Sequence, residues 1–168
     1  MADGFKAIAD TSSVLAGLDK LTGPIATHLA RSMAVAGGQV LRDEAKLLAP
    51  VDSGLLQSAI YLAFKEAKSN DEGVTYSVTW NAKKAPHGHL LEFGHWQYYA
   101  AYIGPDGEWH TNKAHPLANP RWVPAHPFLR PALDSAGPRA QAAMIERGRQ
   151  RLPELLAGEM EDAKLGAS

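Results

Sequence analysis

The sequence predicts an α+β domain: a long N-terminal helix, an antiparallel β-sheet of about three to four strands, and a C-terminal helix. Three observations predict it. Ile25, Leu29, Met33, Ala36, Val40, Ala45 and Leu48 recur at three- to five-residue steps, which is one apolar stripe on a helix. Val74, Tyr76, Val78 and Trp80 alternate with Thr75, Ser77 and Thr79, which is the period of a half-buried strand. A proline-punctuated segment, Pro124 to Pro131, then leads into a final helical stretch.

A chain of 168 residues can bury one real core and is short for two, so a single domain is expected over 1–168. Its parts are an N-terminal arm (1–21), a core (22–158) and a fraying tail (159–168). Composition is ordinary, with 45% hydrophobic and 21% charged residues. A net charge of -1 leaves no overall basic footprint for nucleic acid. There is no cysteine, which excludes disulfides and thiolate metal sites. No apolar run reaches the ~20 residues of a membrane span, and Met1 to Lys6 lacks a signal-peptide pattern. The expectation is a soluble protein with no membrane partner and no secretion signal.

Taken in order, Phe5–Ile8 reads as a strand and Val14–Leu21 as a short helix. Pro24 suits a first helical position, because the N–H it lacks has no partner there. The helix it opens runs to about Leu48 and is stopped by Pro50. Gly37 and Gly38 weaken its middle by about 1 kcal/mol each against alanine, and allow close packing or a bend. Asp52 stands at an expected N-cap, its carboxylate accepting the N–H of Gly54 or Leu55, with a helical turn over residues 53–59. Ile60, Leu62 and Phe64 alternate as a strand, Ser69 to Gly73 is a turn, and the two alternating runs form an antiparallel hairpin. His87 to Phe93 is a short helix ended by Gly94 in a left-handed cap. Trp96 to Ile103 is a third strand, and Glu108 to Pro124 an irregular loop. The last helix starts at Phe128 or Leu129, carries Pro131 in its first turn and runs to about Gly158, with bends near Pro138 and Pro153.

Six of the seven histidines lie between His87 and His126. His87, His89 and Glu92 put two imidazoles and a carboxylate within six residues, and on a helix His89 and Glu92 would share a face. The spacing is not that of a zinc hydrolase helix, where two histidines stand four apart. Ser53 lies in Asp52-Ser53-Gly54 and not in a nucleophile elbow, and no phosphate loop or dinucleotide fingerprint occurs. The expectation is no enzyme, no cofactor and no metal, with a histidine-cluster metal hydrolase as the least favoured alternative. Arg147 and Arg151 share a helix face, which is a solvated surface or a contact for phosphates or an acidic partner. Trp96, Tyr98, Tyr99, Tyr102, Trp109 and Trp122 crowd one region and are core or interface.

Three motifs follow in order. Pro50-Val51-Asp52-Ser53-Gly54-Leu55 continues to Ser58 and Ile60. Leu91-Glu92-Phe93-Gly94 comes next. Pro124 and Pro127-Phe128-Leu129-Arg130-Pro131-Ala132 close the set. In this order the chain resembles the tail-completion proteins of long-tailed bacteriophages over roughly residues 22–150, and is similar in role to the lambda tail protein Z. It departs at Ser53, where threonine is usual, by an extra alanine between Ser58 and Ile60, and by a longer stretch from Trp96 to Trp122. The resemblance implies an α+β structural protein of the virion neck, assembled in the host cytoplasm as a homo-oligomeric ring, with six copies expected from tail-tube symmetry. The implied partners are the tail terminator and the head connector or stopper, with non-specific contact to DNA in the lumen. Another neck ring, or a component of a tail-like particle, is the alternative within the same class. The motif residues are expected to act structurally.

Overall fold

A computed structural model describes residues 23–70, 73–107 and 109–165 of the chain. The expected strand Phe5–Ile8 and helix Val14–Leu21 lie outside the described residues. The α+β expectation holds. In chain order the elements are helix α1 (Gly23–Leu48), short helix α2 (Leu55–Ala59), strand β1 (Ile60–Phe64), a 3-10 turn (Glu66–Lys68) and strand β2 (Tyr76–Trp80). Then come helix α3 (Gly88–Phe93), the long strands β3 (His95–Ile103) and β4 (Trp109–Val123), and helix α4 (Leu129–Leu165).

The apolar stripe of α1 packs along α4. Ile25, Leu29, Met33 and Ala45 are buried, as are Ala132, Ala136 and Ala140 on the facing helix. The final position of the stripe is corrected: Leu48 is exposed, and Ala49 is buried in its place. The expected weak point at Gly37 and Gly38 turns out to be a packing device in a continuous helix. A Cβ on Gly37 would lie 2.5 Å from Met144 Cγ and 3.0 Å from the Ala140 carbonyl, so glycine lets α4 approach. A Cβ on Gly38 would lie 2.6 Å from Leu62 Cδ1, so its neighbour admits β1 on the adjacent face. The ~1 kcal/mol propensity loss per glycine is set against two close layers of dispersion contact.

Polar groups tie the same two helices together. Arg139 donates to Glu44 at 2.6 Å, Ser135 Oγ donates to the other oxygen of Glu44 at 3.0 Å, and Arg147 Nε donates to Ser32 Oγ at 2.9 Å. The hydrogen bond from Arg139, with that from Ser135 behind it, holds the Glu44 carboxyl below the ordinary glutamate range. A carboxyl lowered on folding contributes stability above its unfolded pKa, and that contribution is lost as pH falls through the folded value. Arg139→Ala is therefore expected to lower the neutral plateau of a stability–pH curve slightly, leave the stability at low pH nearly in place, and so flatten the acid limb. Urea melts across the acid range would check this, and an unchanged acid limb would remove the linkage.

β1 and β2 form the expected antiparallel hairpin, with Ile60 opposite Trp80, Leu62 opposite Val78 and Phe64 opposite Tyr76. Val74 precedes β2 and does not belong to the strand. Tyr76, Val78 and Trp80 are half-buried, and Val78 and Trp80 pack on the core.

Three expectations are corrected by the second half of the chain. The stretch from Glu108 to Pro124 is not an irregular loop: residues 109–123 form β4, paired antiparallel with β3. Its pairing slips from Arg121 opposite Gln97 to Pro116 opposite Tyr99, and then to Asn112 opposite Ala100. Such bulges carry residues out of the period-two pattern, and both strands of a two-stranded ribbon are edges, where proline is tolerated. The last helix does not end near Gly158. Its backbone is helical to Leu165 and contains both Pro138 and Pro153. Gly94 has the expected positive φ, at 71°, but its ψ of 172° is extended and not the left-handed helical cap.

Candidate functional site

The three sequence motifs meet in one place. Leu56 and Ala59 from the first, Leu91 from the second, and Phe128, Leu129 and Ala132 from the third join Ala45, Ala49, Ile60 and Ala85 in a single apolar cluster. Phe128 is fully buried, with its ring edge-on to Trp80 at 5.9 Å between centroids.

At the centre of this junction is a buried charge, the Glu92 side chain, whose residue is only 5% exposed. One carboxylate oxygen accepts the N–H of Phe128 at 2.8 Å and of Leu129 at 3.0 Å, and the other accepts the N–H of Arg130 at 3.4 Å. These are the free N–H groups at the start of α4. The next residue, Pro131, has no N–H to satisfy, and the first helical bond runs from Ala132 N–H to the Phe128 carbonyl. The helix start is therefore fully accounted for by one carboxylate and one proline, and the negative charge sits at the positive end of the helix dipole. The His126 N–H donating to the Leu91 carbonyl at 2.7 Å fixes the same two segments side by side. Glu92 is thus a through-space N-cap, supplied from 36 residues upstream.

This geometry separates the two residues that the sequence pattern would place on one helix face. His89 and Glu92 do not share a working face: Glu92 points inward onto α4 and His89 is exposed. Among the described residues no three of His, Asp, Glu and Cys converge to hold a metal ion.

Around Asp52 the expectation is corrected. The residue at the N-cap of α2 is Gly54, with φ 75° and ψ -1°, and no side chain caps the helix. The left-handed glycine turns the chain so that Leu56 reaches the core, and the Gly54 carbonyl accepts the Ser58 N–H at 3.0 Å. Pro50, Asp52 and Ser53 are exposed. Asp52→Ala is therefore expected to leave the stability of the free chain within about 0.5 kcal/mol, not to cost the ~1 kcal/mol of a lost cap. Chemical denaturation would read this, and a loss of a full cap would restore the capping role.

Of the candidate interface residues, Trp96, Tyr98, Tyr99, Tyr102 and Trp122 are exposed on the β3–β4 ribbon, so the core reading does not apply to them. Trp96 and Trp122 face each other across the ladder, edge to face at 5.7 Å, and Tyr102 lies 5.6 Å from the His110 ring. The Trp109 side chain lies outside what the structure describes. The arginines are spoken for: Arg147 binds Ser32, Arg151 pairs with Glu154 at 2.5 Å, and Arg149 approaches Glu146 at 3.9 Å. No described helix is long and apolar enough to cross a membrane.

Sequence reasoning marked Glu92 as a motif residue but missed its bond. The signal was available in the pattern of a helix start without a local capping side chain, followed by proline at the third helical position. No curated protein and no solved structure matches the chain. A family model described as "Bacteriophage HK97-gp10, putative tail-component" matches residues 12–94, which carry the first two motifs and end at Gly94. Over residues 12–94 the chain is therefore similar to the HK97-gp10-like phage tail components, in agreement with the resemblance read from its motifs.

Proposed function

We propose that this tail component is a tail-completion protein of the virion neck, assembled in the host cytoplasm and acting without catalysis. Its working form is a ring of six copies seated between the tail terminator and the head connector or stopper. The observation that carries this reading is the convergence of the three ordered motifs on one buried junction. They build a scaffold, as an assembly protein requires. The exposed aromatic ribbon supports it further, because a ring needs a large complementary surface on each subunit. Pairing of the C-terminal arginines within the chain leaves any contact with lumenal DNA weak and non-specific.

Deleting the gene from the phage that carries it should leave filled heads and full-length tails that do not join. Complete infectious particles without the protein would refute the reading. Empty heads, or tails of uncontrolled length, would move the protein to another stage of assembly, such as a terminator or stopper ring.

A further inference from the structure

The β3–β4 ribbon has no core of its own. Among the described residues the two strands pair with each other, join no other sheet, and pack substantially against no helix. An isolated two-stranded ribbon is marginal in water, and one that displays tryptophan and tyrosine is more costly still. Trp96 is 53% exposed, Tyr98 53%, Tyr99 39%, Tyr102 50% and Trp122 51%. A large aromatic side chain can bury about 150–250 Å², so these five still offer on the order of 500 Å². Ile103 and Phe93, also exposed, add to it. A stable interface needs about 800 Å² per partner, so the ribbon holds most of one half of such an interface.

A second set of exposed apolar side chains lies where α1 leads into α2. Leu47 and Leu48 end α1, Val51 follows Pro50 and Leu55 opens α2, and all four are exposed. Gln57 donates to the Lys46 carbonyl at 2.9 Å and holds the two segments together. Charge distinguishes the two patches. Asp52 sits in the body patch, exposed and without a hydrogen bond or ion pair among the described residues. Lys113 sits on β4, equally exposed and equally unpaired. From residue 109 to 130 the charged side chains are Lys113, Arg121 and Arg130, and the ribbon's carboxylates, Asp106 and Glu108, fall between its two strands in sequence.

We infer that the aromatic β3–β4 ribbon of one copy docks on the Leu47–Leu55 patch of the next copy, with Lys113 placed against Asp52. Two different patches on one chain make a head-to-tail contact, which closes into a ring when the rotation allows. The inference rests on the neck-ring reading and specifies its subunit interface. It also explains why Asp52 is neither a cap nor an internal ion-pair partner.

The chain has no cysteine, so a site-directed cross-link is free of background from this protein. Virions are assembled with a variant carrying both Val51→Cys and Tyr98→Cys, treated with a short bismaleimide, and blotted for this protein. Both sites are exposed, so neither change disturbs the core. The expected result is a ladder of multimers up to the full ring, with no multimers from either single variant. A second arm exchanges charge: Asp52→Lys should lower particle yield at least tenfold, and Lys113→Asp in the same chain should restore it. Dimers from Tyr98→Cys alone would show ribbon against ribbon and overturn the inference. Protein present in particles but only monomeric after treatment would overturn it while leaving the neck reading in place. Particles that never contain the protein would remove both.

Discussion

Glu92→Ala is expected to lower the melting temperature by roughly 6–12 °C. The three N–H groups at the start of α4 lose their acceptor at a buried position, with two of the bonds at 3.0 Å or shorter. A buried donor left unsatisfied costs about 1–3 kcal/mol, so the loss is about 3 kcal/mol in total even with the long bond to Arg130 discounted. For a chain of this size 1 kcal/mol is worth about 2–4 °C. Glu92→Gln keeps a carbonyl that can accept from Phe128 and Leu129, but it turns an NH2 toward the N–H of Arg130 and removes the charge from the helix end. Its loss should be about half that of alanine. The ordering wild type, glutamine, alanine in a calorimetric series is the test. An alanine variant that melts within 1 °C of wild type would mean that the cap contributes nothing net.

The same residue shows where the sequence was legible and where it was not. Elements whose pattern is set by one face were readable: the stripe from Ile25 to Ala45 and the alternation in β1 and β2 place the first helix and first hairpin nearly to the residue. The short helices α2 and α3 were readable from their flanking proline and glycine. What escaped was structure decided by contacts far along the chain. β4 carries Pro116 and Pro120 and two slips of register, so no period survives in its sequence, and only its pairing with β3 makes it a strand. Asp52 looks like a cap by local rule, whereas the actual turn is made by the backbone of Gly54. Conversely Glu92 looks like half of a metal pair beside His89, and its use is a helix 36 residues away. The candidate interface divided along the same line. Exposed aromatics were flagged by crowding alone, but which arginines were free could be learned only from Ser32 and Glu154.

Gly94→Val should be the most damaging single change in the chain, with little or no folded protein recovered. Two independent costs coincide there. The backbone sits at φ 71° and ψ 172°, a region that is essentially glycine's alone and costs of order 1–3 kcal/mol for any other residue. A Cβ at this position would also lie 2.7 Å from Trp122 Cζ2, 2.8 Å from the Val123 carbonyl oxygen and 2.9 Å from the Ala125 nitrogen. Two of those three are backbone atoms at the end of β4, so the return strand itself must move, and it is the segment that delivers Phe128 to Glu92. Overpacking of this kind adds about 1–3 kcal/mol, before the two further methyls of valine are placed. Together the costs reach a large share of the 5–15 kcal/mol by which a domain is stable. Gly54 provides the control that separates the two terms. It too has a positive φ, of 75°, but no atom lies within 4 Å of its would-be Cβ. Gly54→Ala should therefore cost only about 1–2 kcal/mol of backbone strain and fold, while Gly94→Ala should lose clearly more, and Gly94→Val the cooperative melt altogether. If Gly94→Val melted like wild type and failed only in particle assembly, the crowding would have to be relieved without cost, and Gly94 would belong to a subunit interface instead of the hinge between α3 and the ribbon.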